Sequence, residues 1–147
     1  MFVYFAVFPV RWRTLAFKLL TRKSVTGKRS MILIAGPYRS GTHDDPVLIE
    51  KNVQEMESYA LPIFRAGHIP ILGEWLALPL VRLGGSNHIG DEVFNEVFHP
   101  IAIRILEKCD GVLRVGGPSA GADEMVRVGR SLGRAIYTDL AEIPKIE

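Results

Sequence analysis

Cysteine is almost missing from this chain: Cys109 is the only one among 147 residues. One thiol makes neither an internal disulfide nor a cysteine-based zinc site, so a reducing, cytoplasmic setting is the simplest expectation. The four histidines, His43, His68, His88 and His99, lack H-E-x-x-H and H-x-x-x-H spacing, and neither a metal nor a cofactor is expected from them. No G-x-x-x-x-G-K-[ST] or G-x-G-x-x-G string occurs, which removes most of the ground for ATP hydrolysis by a P-loop or for dinucleotide binding. Long apolar runs are missing too. Met1–Val10 is apolar and aromatic but falls short of the roughly twenty residues that span a bilayer, and it lacks the leading basic residues and cleavage site of a secretory signal.

Acidic residues are absent from residues 1–30, which carry seven basic side chains. The remainder holds eleven basic and sixteen acidic residues, a net charge of −5. A mildly acidic domain gives no support to a nucleic-acid partner. Thr14–Leu20 could continue as a short basic amphipathic helix, which would suit a membrane surface or an acidic partner. The plainer and preferred reading makes residues 1–30 an extension outside the fold, with a complete domain over 31–147 and no membrane partner for that domain.

What is present is an ordinary globular composition, 48% hydrophobic and 23% charged, with helical and strand signals in alternation. Met31–Ala35 is a short apolar run closed by Gly36-Pro37, the pattern of a strand buried on both faces. Asp45-Pro46 is a helix start, and Ile49, Val53, Met56, Ala60 and Ile63 recur at helical spacing, with Pro62 expected to bend or end the helix. Ile69–Leu72 reads as a second strand, and its proline suggests an edge. Trp75–Leu83 reads as a short helix. Phe94, Val97, Phe98, Ile101 and Ile105 mark a longer one, where core packing is explanation enough for the two phenylalanines. Gly111–Val115 is a third strand. A helix beginning near Ala122 follows, with Met125, Val128 and Leu132 facing inward and Gly133 closing it, and Ala135–Tyr137 is a fourth strand. The alternation predicts an α/β three-layer, Rossmann-like sandwich with a mostly parallel sheet in the order 2-1-3-4. That order places a topological switch between strands one and three, where ligands of such sheets bind.

The two loops after those strands carry the candidate chemistry. In the first, Gly36 and Pro37 bring backbone close to a ligand, Tyr38 offers a stacking face, Arg39 a planar fork for phosphate or carboxylate, and Ser40 a hydroxyl. In the second, Gly116, Gly117, Ser119 and Gly121 open onto a helix start whose free N–H groups attract anions, with Ser119 either capping that helix or donating to a ligand. Asp123 and Glu124 in its first turn either complement the helix dipole or supply a nucleophile that attacks an anomeric carbon. Asn52 could reach the ligand from the preceding helix or bond locally. Glu74 and Trp75 stand at the carboxyl end of the second strand, Trp75 as core or as a stacking platform. Asp110 reads as a turn residue or as support for the site. His68 and His99 read as packed or surface residues.

Ile34-Ala35-Gly36-Pro37-Tyr38, then Asn52, Gly67-His68-x-Pro70, Cys109-Asp110-x-Val112, Ser119-x-Gly121 and Leu132-Gly133, in that order and spacing, resemble the nucleoside 2-deoxyribosyltransferase superfamily, and most of all its small single-domain bacterial members. The resemblance runs from Met31 to Tyr137. It implies a nucleoside or nucleotide as the small-molecule partner. It also implies cleavage or transfer at the N-glycosidic bond, of deoxyribosyltransferase or deoxynucleotide N-hydrolase type, and an oligomer for which Trp75–Leu83 is a candidate contact. Arg39, Ser40 and Gly41 would meet a 5′-phosphate. The family's nucleophilic glutamate lies four residues after the loop glycine, a position held here by Met125. Glu124 takes the role, or Asp123 does, or the nucleophile is lost and the protein binds a nucleotide-like ligand without turnover. A chain beginning at Met31 is expected to fold alone; a product without a cooperative unfolding transition would refute this.

Overall fold

The structure is a computed structural model and describes residues 27–146; the readings of Met1–Val10 and Thr14–Leu20 fall outside that range. Strand β1 (Met31–Ala35) is followed by helices α1 (Pro46–Ser58) and α2 (Ala60–Arg65), strand β2 (Ile69–Leu72), helices α3 (Gly73–Leu83) and α4 (Glu92–Leu106), strand β3 (Gly111–Arg114), helix α5 (Ala120–Ser131) and strand β4 (Ala135–Tyr137). A single 3-10 turn, Leu140–Glu142, closes the domain. The four strands form one sheet in the order β2-β1-β3-β4, and every pairing is parallel, with Leu33 opposite both Ile71 and Val112. This is the α/β architecture that the alternation of apolar runs and helical periods predicts.

Alternation along β1 sorts its side chains between two cores. Ile32 and Ile34 pack with Val53, Met56 and Ile63 beneath α1 and α2. Leu33 and Ala35 pack with Ile105, Leu106, Ala122 and Met125 beneath α4 and α5. Because β1 is covered on both faces, its sequence is apolar without a break. β2 lies at the sheet edge, as Pro70 suggested, with Ile69 exposed.

Asp45 caps α1, its carboxylate accepting from the Val47 N–H at 2.8 Å with Pro46 in the first turn. The long periodic stretch is interrupted at Tyr59, between α1 and α2. Pro62 accounts for the position: its ring excludes the carbonyl four residues back, that of Ser58, so the break precedes the proline instead of falling on it. Ser119 caps α5, so that helix starts at Ala120, before the expected Ala122, and Glu124 lies beyond its first turn. Leu132 does not face inward; it is 40% exposed, because Gly133 at φ +67° turns the chain away there.

The domain also begins before Met31. Ser30 accepts from the Ile69 N–H at 2.8 Å, Arg29 donates to the Gly67 carbonyl at 3.0 Å and Lys28 to Asp110 at 2.9 Å. Buried His68 holds both ends of the domain: Nδ1 accepts from the Ser30 N–H at 3.2 Å, and Nε2, which carries the ring proton, donates to the Pro144 carbonyl at 2.5 Å. Replacing His68 by Leu should cost about 1–3 kcal/mol for each backbone group left unpaired, measured as a lower urea midpoint with an unchanged slope. A variant as stable as the parent would show that water replaces the imidazole.

Candidate active site

The chain leaves β1 for β2 on one side and reaches β3 on the other, so the loops after β1 and β3 emerge next to each other at the carboxyl end of the sheet. They touch. Gly116 has φ +71°, and a Cβ there would sit 2.7 Å from Pro37 Cδ, so that position needs glycine for its conformation and for the close approach. Arg114 braces the second loop by donating to the carbonyls of Val115 and Gly117 and to the Asp123 carboxylate. Asn52 braces the first, donating to the carbonyls of Tyr38 at 3.0 Å and Ser40 at 3.4 Å.

A cavity of about 220 Å³ opens beside this junction. The end of β1 and Gly36, Tyr38, Arg39 and Ser40 form one wall; Ser119, Gly121, Ala122 and Met125 form a second. Gly73 and Glu74 at the start of α3, and Phe94, Phe98, His99 and Ala102 on α4, complete it. The volume is below the roughly 300–1,000 Å³ of drug-sized sites and suits a ligand of nucleoside size or smaller. Tyr38, Phe98 and Phe94 form a continuous aromatic group, with centroids 4.6 Å apart for Tyr38–Phe98 and for Phe94–Phe98.

Glu74 is the one acidic side chain among the described residues that line the cavity. Removal from water raises its pKa, against a smaller opposing effect of its own backbone N–H at the start of α3. Tyr38 is pushed up as well, first by burial and then by the negative charges of Glu74 and Glu50. The other acids around the site are compensated. Asp44 accepts both donors of the Arg39 fork and is held below the usual carboxylate range by them. Among the described residues, no three His, Cys, Asp or Glu side chains gather into a group able to hold a metal ion.

Set against the sequence, Gly36, Tyr38, Arg39, Ser40, Glu74, Ser119 and Gly121 come together around the cavity. Pro37, Gly116 and Gly117 build the loop junction without lining the cavity, and Asn52 positions the first loop. Asp123 and Glu124 do not line it either. Asp123 bonds Arg114 at 2.9 Å with its side chain 68% exposed, and Glu124 is held by Arg127, whose guanidinium lowers its pKa. The early cap at Ser119 turns Met125, not Glu124, to the wall. Trp75 points away from the cavity and donates to Glu57 at 2.8 Å. Asp110 is at the opposite, amino end of the sheet, accepting from the Met31 N–H at 2.9 Å; this bond and Lys28 lower its pKa.

Phe94 and Phe98, at core spacing, and His99, read as a packed or surface residue, face the cavity. The available signal was topological: a connection from β2 to β3 must pass over β1, so the helix before β3 overlooks the switch. Phe94, Phe98 and Ala102 lie one helical turn apart on that helix, with His99 beside them.

Fold and cavity thus define a small three-layer α/β domain with a ligand-sized pocket at the switch point of a parallel sheet. No protein-family model matches the chain, and no curated protein matches it significantly. The raised pKa of Glu74 has a consequence for stability. Where folding raises a carboxyl pKa, the folded state loses stability as pH climbs through the ordinary glutamate range and past the folded value. Replacing Glu74 by Gln should therefore stabilise the protein at pH 8 and have little effect at pH 3, read as the difference in Tm between parent and variant at each pH. Equal shifts at both pH values would remove desolvation as the cause.

Proposed function

We propose that the protein is an enzyme acting at the N-glycosidic bond of a nucleoside or nucleotide, with Glu74 as the reacting carboxylate. The observation that carries this reading is an acid that makes no ion pair among the described residues, in a largely apolar cavity next to an aromatic platform. An acid in a cleft whose pKa is raised by loss of water is a candidate for catalysis. Cleavage of a glycosidic bond develops positive charge on the sugar, and a carboxylate short of a partner stabilises that charge most where water is excluded.

In this mechanism a Glu74 carboxylate oxygen bonds to the anomeric carbon while the carbon–nitrogen bond breaks, its electron pair leaving with the base. His99, on the facing helix, is the candidate donor of the proton the base requires. Water, or a second base, then attacks the same carbon and frees Glu74, giving hydrolysis or transfer. The base stacks on Tyr38, Phe94 and Phe98, and Ser40 and Ser119 offer hydroxyls to the sugar.

A second reading is favoured by Met125, which stands where the resembled family has its nucleophile: the cavity binds a nucleotide-like molecule and does not turn it over. Incubation with the common deoxynucleoside monophosphates and free bases separates the two. Base release or exchange is expected, falling at least ~10²-fold in Glu74→Gln and staying within a few-fold of the parent in Glu124→Gln and Asp123→Asn. A folded protein that releases no base from any of them refutes the enzyme; ligand-dependent stabilisation without consumption would then establish the binder.

A further inference from the structure

We propose that Asp44 is a built-in competitor for the anionic group of the ligand, holding the Arg39 fork at the cavity mouth until phosphate displaces it. The inference depends on the nucleotide reading only for what the phosphate is attached to.

Arg39 is the only arginine or lysine side chain lining the cavity among the described residues. Its Nε and Nη2 both donate to one carboxylate, with Nη2 at 2.6 Å from Asp44 Oδ2. This is the bidentate geometry by which arginine takes phosphate or carboxylate from a ligand. Asp44 thus occupies the two donors that an incoming anion would use. The remaining arm, Nη1, passes over Gly90 in the loop before α4, where a Cβ would sit 2.9 Å from it. The guanidinium therefore reaches from the first loop toward the α3–α4 connection, across the mouth.

Two features make the pair displaceable. Both side chains are about half exposed, at 47% and 46%, so water and salt weaken their attraction. Asp44 also reaches Arg39 from a strained turn: His43 and Asp44 are the only non-glycine residues with positive φ among the described residues, at 50° and 61°. The turn is kept in place by buried Thr42, whose hydroxyl donates to the Arg39 carbonyl at 2.7 Å and accepts from the Asp44 N–H. Because Thr42 and not the Arg39 pair anchors the turn, the Asp44 side chain can swing off the fork without dismantling the wall.

The test uses the full chain and inorganic phosphate, followed through the backbone amide resonances of residues 36–44, which every variant keeps, and through the Arg39 Nε–H where the arginine is present. Asp44→Asn keeps a residue that tolerates left-handed backbone and should bind phosphate roughly two- to fivefold more tightly than the parent, the range an exposed pair can withhold. Asp45→Asn removes the same charge one residue away and preserves the helix cap; it should change phosphate affinity much less. Arg39→Gln should lose the site. Equal tightening in the two Asn variants, or no tightening in Asp44→Asn, overturns the latch. Deoxyadenosine monophosphate and deoxyadenosine form a separate arm, in which Asp44→Asn should favour the monophosphate alone. If neither binds while phosphate still competes with Asp44, the nucleotide reading fails and the latch stands.

Discussion

Pairing of β1 on both edges is the constraint from which the rest of this molecule follows. A strand flanked by β2 and β3 must send its own chain to one side and receive the later chain on the other. That reversal sets two loops side by side, and the contact of Gly116 with Pro37 shows how closely they meet. It also requires the β2–β3 connection to cross β1, which lays α4 over the gap. The cavity is what these elements leave between them: a backbone junction at one edge, an aromatic helix face above, and the end of the central strand below.

Electrostatics distinguishes one group within this frame. Asp44, Asp110, Asp123 and Glu124 each have a cation or a backbone donor in reach and serve to fix local structure. Among the described residues the one group that favours the Glu74 carboxylate is its own backbone N–H at a helix start, and the loss of water outweighs it. An acid withdrawn from water without an opposing cation costs stability. Natural sequences keep such a cost mainly at working sites, so Glu74 carries more functional information than the acids nearer the glycine-rich loop.

Much of this was legible in the sequence because it depends on local chemistry. Three of the four strands match the expected bounds, and β3 ends one residue early, at Arg114. Caps at Asp45 and the strand order also followed from residue type and period. The choice among carboxylates did not. Whether Glu124 or Met125 faces a cavity depends on which residue starts the helix, and a start at Ala120 instead of near Ala122 rotates the answer by about 100° per residue. Asp110 reads as a turn or as support for the site because it directly precedes a strand, but a strand has two ends and only the carboxyl end borders the cavity. His99 and the two phenylalanines were hidden for a different reason: their spacing is that of core residues, and a cavity wall uses the same spacing.

Both termini of the described chain are gathered at the amino end of the sheet. His68 links Ser30 to Pro144, and Ile146 donates to the Ala66 carbonyl while packing against Gly27 and Gly67. The mouth of the cavity is at the other pole. The two ends of the described chain are thus anchored to each other through one imidazole, at the pole of the sheet away from the pocket, so tension applied between them would be borne by His68 and not by the loops that shape the cavity.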